Sequence, residues 1–238
     1  MSEQENEWSK QFWGKILFCV IVLPIIMWIW PEAVPFKFFE FWNIRGNVIQ
    51  WLYSAWPIFA WGTGVATIIA ICTRNDRDTN RHAEKIIARG TLISIFAGIA
   101  EEVIFRWLFL LGAIVLVKIG NFLFFGFLGF GIPSWLHLHA FGPLANWITL
   151  GHLEPYLFHS TGWAVGAAML SANSFFRDGH KYQGSFGWVN SWFIGMFLFW
   201  IMFQYGLLAA ILAHFVYDLL IFTVLYVDAS IERARGNA

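Results

Sequence analysis

The sequence predicts an all-α fold, a polytopic transmembrane helical bundle of about seven or eight spans, and three observations predict it. First, 58% of the 238 residues are hydrophobic, 20% are aromatic and only 13% are charged, and the mean hydropathy is +0.60, well above that of a soluble domain. Second, apolar runs of about 20 residues, enough to cross roughly 30 Å of hydrocarbon, recur along most of the chain. Third, the charges gather mainly between those runs. One integral membrane domain, residues 1–238, accounts for the whole chain, with the lipid bilayer as its first partner.

The first run, Phe12 to Trp30, follows the polar MSEQENEW and has no small-x-small site before Pro24, so it reads as a retained span and not a signal peptide. Val48 to Cys72 is the second, long enough to cross without a charge. Thr73 to Gly90 is the most polar stretch and carries Arg74, Arg77, Arg81, Lys85 and Arg89, which makes it a cytoplasmic loop by the positive-inside rule. The N-terminus, two spans earlier, is then cytoplasmic as well; Lys10 and Lys15 agree, while Lys37 and Arg45 in the first outer loop oppose with fewer charges. Thr91 to Lys118, Asn121 to Leu136, Tyr156 to Phe176, Trp188 to Tyr205 and Leu207 to Val227 are the further spans. Phe141 to Leu150 is too short to cross and reads as re-entrant or interfacial, hence seven or eight. Trp28, Trp30, Trp188 and Tyr226 lie near span ends, where amphipathic rings favour the membrane interface.

The formal net charge is zero, so the basic footprint of a nucleic-acid partner is missing. Cys19 and Cys72 lie in apolar runs and read as small hydrophobes, not a disulfide. The sequence holds no N-x-S/T sequon, which fits a prokaryotic cell membrane or an inward-facing protein.

Charges inside the spans carry the functional signal. In AGIAEEVIFRWL, Ala97 to Leu108, Glu101, Glu102 and Arg106 interrupt an apolar run, and each such residue costs roughly 2.5–3.5 kcal/mol at the centre of a spanning helix. At 100° per residue Glu102 and Arg106 lie about 40° apart and can pair, whereas Glu101 points about 100° away from Glu102. This predicts a structural ion pair between Glu102 and Arg106, with Glu101 left to accept and return a proton. The plain alternative is that all three charges only hold helices together.

His214 lies about eight residues into the last span, with Asp218 four residues on and on the same face. Such a pair can fix an imidazole tautomer, bind a metal or surround a reacting carbonyl with polar groups. In SANSFFRDGHKYQG, Ser171 to Gly184, an apolar run passes into a polar, glycine-bearing segment that displays His180. Alone, each histidine is as well read as a satisfied core or surface residue.

Taken in order, Glu101-Glu102-xxx-Arg106, Phe176-xxx-His180 and His214-xxx-Asp218 resemble the three-part signature of the CPBP family of intramembrane endopeptidases, which includes CAAX prenyl endopeptidases and bacteriocin-processing or Abi proteins. HKYQG also resembles the HxYQG form of bacterial members, and the resemblance covers about residues 97–227. The gap from Glu101 to His180 is longer than is usual in that family, which leaves His139, in WLHLH, as a rival second histidine; HKYQG and the distance to His214 favour His180.

The resemblance implies an endopeptidase whose catalytic set is Glu101, His180, His214, Glu102, Arg106 and Asp218. Glu101 and His180 activate a water, and His214 with Asp218 stabilises the oxyanion or orients that water. Its substrate is a membrane-associated protein or peptide, cut in CAAX-type or leader-peptide processing. No cofactor is expected; zinc is the alternative, since one Glu and two His can ligate it with a fourth position left for water, although HExxH is absent. The rival functions are a membrane immunity or scaffold protein without turnover, and a proton-coupled transporter, for which the sequence lacks the paired broken halves.

Overall fold

Apolar segments in lipid must satisfy their backbone polar groups internally, and this chain does so with helices throughout. A computed structural model describes residues 14, 16–72, 83–158 and 162–236, and among them every regular element is helical. The α-helices are α1 (Leu23–Ile29), α2 (Val48–Cys72), α3 (Ala83–Glu101), α4 (Leu110–Leu123), α5 (Ile132–Leu136), α6 (Gly142–Ile148), α7 (Glu154–Leu157), α8 (Trp163–Gly179), α9 (Gly184–Tyr205) and α10 (Leu207–Gly236). A π-helical segment, Glu102–Phe109, joins α3 to α4 without a break.

Among the described residues four helical runs are long and apolar enough to cross a membrane: Val48–Cys72, Ile86–Leu123, Lys181–Tyr205 and Leu207–Arg235. They mark the chain as a membrane protein. The expected seven or eight spans are not reached among the described residues, and the reasons are local. Asn121 to Leu136 is not one helix: it breaks after Leu123, with Phe125 at φ 66° and Gly129 at φ 88°, and only the short α5 follows. Tyr156 to Phe176 divides between the four-residue α7 and the 17-residue α8. Near the N-terminus the short apolar helix is Cys19–Ile29. The expected loop from Thr73 is helical from Ala83 onward, which puts Arg89 on α3. The expectations for the N-terminal tail and for Arg74, Arg77 and Arg81 lie outside the described residues.

The chain divides into two compact units, Met1–Asn43 with Val103–Trp200, and Ile44–Glu102 with Ile201–Ala238. In the first, α4 packs on α8, burying Leu110, Leu111, Ile114 and Val115 against small side chains such as Ala164, Ala168 and Ala172. The Trp107 indole N–H donates to the Phe38 carbonyl at 2.6 Å, so the π segment is tied to the N-terminal part of the same unit.

In the second unit α10 packs on both α2 and α3. It runs antiparallel to α3, because Gly90 faces Phe222 while Gly98 faces Ile211 and Phe215. Gly98 sets how close the two come: a Cβ there would lie 3.3 Å from both the Ile211 carbonyl oxygen and the Phe215 backbone nitrogen. Small residues permit such approach between apolar helices. At the start of α10, Gly206 takes φ 100° and separates it from α9, a left-handed conformation that glycine adopts without steric penalty.

Candidate functional site

The Gly98 contact fixes where the next turn of α3 lands on α10. One turn beyond it are Glu101 and Glu102, and beside Ile211 on the opposite helix is His214. Glu102 is fully buried and His214 is 4% exposed. The His214 Nδ1–H donates to Glu102 Oε1 at 2.8 Å, a distance expected of a charge-assisted bond. That bond fixes the ring and leaves Nε2 to take up or release the second proton.

Around Nε2 stand the other two carboxylates, with Glu101 Oε2 at 3.8 Å and Asp218 Oδ2 at 3.7 Å. Both gaps exceed a direct hydrogen bond, and both are short enough for a shared water to bridge. Burial grades the four groups: the side chains of Glu102 and His214 are 0% and 5% exposed, those of Asp218 and Glu101 21% and 28%. Glu102 is therefore sealed behind the imidazole, while Glu101 and Asp218 flank its accessible edge.

Three features differ from the sequence expectation. Glu102 holds the imidazole and so is more than a partner for Arg106. Asp218 faces Nε2, so the carboxylate that fixes the tautomer comes from the first residue of the π segment after α3, not from the histidine's own helix. The segment Glu102–Phe109 is also π-helical, where the sequence reading took 100° per residue.

Arg106 belongs to the first unit, where it is fully buried. Its guanidinium carbon lies 3.8 Å from the centre of the Phe176 ring and 5.6 Å from that of Phe199, a cation–π geometry. Phe176 also packs edge-on against Phe105 and contacts the His180 ring, 4.7 Å between centres. His180 lies at the C-terminal end of α8, half-buried, and its Nδ1–H donates to the Phe176 carbonyl at 2.8 Å. The first motif thus touches the second through Arg106 and Phe176, and the third through Glu102 and His214.

The rival His139 is exposed, stacks on Trp135 and donates from Nδ1 to the Trp135 carbonyl. The sequence reading passed over its neighbour His137, which is 2% exposed and donates from Nε2 to the Leu157 carbonyl at 2.8 Å. Alternation in WLHLH was the available signal, since two histidines two positions apart on a helix do not share a face.

Zinc would need donors about 2.0–2.2 Å from one point, and among the described residues no group of three or more His, Cys, Asp or Glu side chains is arranged to hold a metal ion.

No family model, curated protein or solved structure matches the chain.

Proposed function

We propose that the chain is a CPBP-type intramembrane endopeptidase that hydrolyses a peptide bond in a membrane-associated protein or peptide. One observation carries the reading: a buried Glu102–His214 pair presents Nε2 between Glu101 and Asp218 inside apolar helices. Buried carboxylates and imidazoles within a spanning helix are functional by default, because insertion penalises them.

In this reading a water bridges Glu101, Asp218 and Nε2. Glu101 takes a proton from the water as its oxygen attacks the peptide carbonyl carbon. Protonated His214, held by Glu102, stabilises the oxyanion through Nε2–H. The proton on Glu101 then passes to the amide nitrogen, the C–N bond breaks, and a carboxylic acid and an amine leave. Asp218 orients the water. The water-activating role that the family resemblance gives His180 is a separate proposal, tested by His180→Ala. CAAX-type and leader-peptide substrates both suit this chemistry.

The test compares membrane-associated peptide termini in cells carrying the native chain or Glu101→Ala. Termini generated only by the native chain support the protease. Identical termini, with Glu101-dependent proton flux in reconstituted vesicles, favour the transporter reading instead.

A further inference from the structure

The first unit contains a cavity of about 840 Å³, separate from the carboxylate–histidine cluster and overwhelmingly apolar. One wall is a single face of α8: Trp163, Ala167, Leu170, Ser174 and Arg177 all line it, at helical spacing. From Trp163 to Arg177 the face is about 21 Å long, at 1.5 Å per residue. The α9 residues Trp188 and Trp192 line it as well. A pocket of this size, apolar with a few placed polar groups, is typical of small-molecule sites.

Its two ends differ in chemistry. At the Trp163 end lies His137, held close to α8 because a Cβ on Gly166 would meet its Nε2 at 2.7 Å. With Nε2 donating to the Leu157 carbonyl, the neutral ring's Nδ1 is an acceptor, and among the described residues it is buried without a hydrogen-bond partner. A second acceptor, such as a carboxylate, is not welcome there. At the other end Arg177 stacks over the Trp188 ring at 4.0 Å and donates from Nε and Nη2 to Asp178 Oδ1. Asp178 is occupied further by the Trp188 indole N–H at 2.8 Å and by Lys181 at 3.2 Å. Among the described residues two cations share this one carboxylate, which leaves the end with a net positive charge, and Arg177 Nη1 is not among the atoms bonded to Asp178 and can meet an anion. The hydroxyls of Ser171 and Ser174 donate to their own helix and do not compete.

We infer that this trough binds one long-chain fatty acid, its carboxylate on Arg177 and its chain along α8 toward Trp163. An acyl chain spans roughly half of a 30 Å hydrocarbon core, which the 21 Å face accommodates together with a head group. A charge-assisted bond from Arg177 Nη1 favours a carboxylate over a neutral hydroxyl.

The purified full chain in non-ionic detergent is incubated with palmitate bearing a mid-chain diazirine, irradiated and digested. Labels are expected in peptides containing Trp163–Arg177 or Trp188–Phe193. Unlabelled palmitate should compete at roughly tenfold lower concentration than hexadecanol, the difference made by one charge-assisted contact, and Arg177→Gln should erase that difference. Ala167→Trp or Leu170→Trp, which fill the trough, should reduce the labelling to that at exposed Leu208 on α10. Equal competition by palmitate and hexadecanol in the native chain overturns the inference, as does competition by dipalmitoyl phosphatidylglycerol as strong as that by palmitate. Labelling that persists in both filled variants with native melting overturns the location.

Discussion

His214 Nδ1 lies 2.8 Å from Glu102 Oε1, a bond between residues 112 positions apart in sequence that joins α10 to the start of the π segment after α3. Neither side chain has appreciable access to solvent. The imidazole is thus fixed by a buried carboxylate; in the proposed endopeptidase this matches hydrolytic triads, where the buried acid orients the histidine.

Glu102→Gln is expected to leave the helices packed but remove the charge that sets the His214 tautomer. Turnover should fall by about 10²–10⁴-fold, with little change in KM. Glu102→Ala, which strands a buried partner, should also lower stability by about 3–5 kcal/mol. Steady-state kinetics with thermal melts separates the two; a Gln variant that loses only substrate affinity contradicts the positioning role.

Gly98→Ala is expected to push α3 and α10 apart by a few tenths of an ångström, since the new Cβ meets backbone atoms of α10 at 3.3 Å. Overpacking of this kind costs about 1–3 kcal/mol. The sharper consequence is a longer Glu102–His214 bond and a turnover loss larger than the stability loss explains. Native kinetics in a Gly98→Ala protein would show that the approach of the two helices does not govern the site.

Arg106→Lys is expected to destabilise the first unit despite keeping the charge. An ammonium does not reproduce the flat guanidinium over Phe176, and a desolvated cation–π contact is worth about 2 kcal/mol. Phe176→Leu should have a similar effect, and the double variant should lose less than the sum of the two single losses. Strict additivity in thermal melts would refute the coupling.

His137 gives the fold an acid sensitivity. Burial pushes its imidazole below the ordinary value of 6.5, against the opposing pull of its bond to the Leu157 carbonyl. The unfolded chain therefore binds this proton more readily than the folded one, and stability rises with pH through this window. Below about pH 6.5 the contribution declines until the folded-state imidazole also protonates. Melting temperatures from pH 8 to pH 5 should fall less steeply in His137→Gln than in the native chain; parallel curves would contradict the assignment.

Much of the site was legible in the sequence because ionisable residues stand out in apolar helices. Glu101, Glu102, His214 and Asp218 were selected for that reason, and the structure gathers the three carboxylates around the His214 imidazole. Their division of labour was not legible, because it depends on helical phase, and the π segment that begins at Glu102 alters phase without an obvious sequence mark. The stacking of Arg106 on Phe176 was not legible either, because it requires α8 to be in place. The all-helical fold followed from composition, but the span count did not: the breaks at Gly129 and before Trp163 fall inside runs that length and composition read as spans.

The most direct test of the central claim is cleavage by purified Glu101→Gln protein, in detergent, of a substrate whose termini depend on the native chain. The account predicts that the variant melts like the native protein and cleaves at least about 10³-fold more slowly, since the glutamine amide cannot take the proton from water. Native-rate cleavage by Glu101→Gln would contradict it.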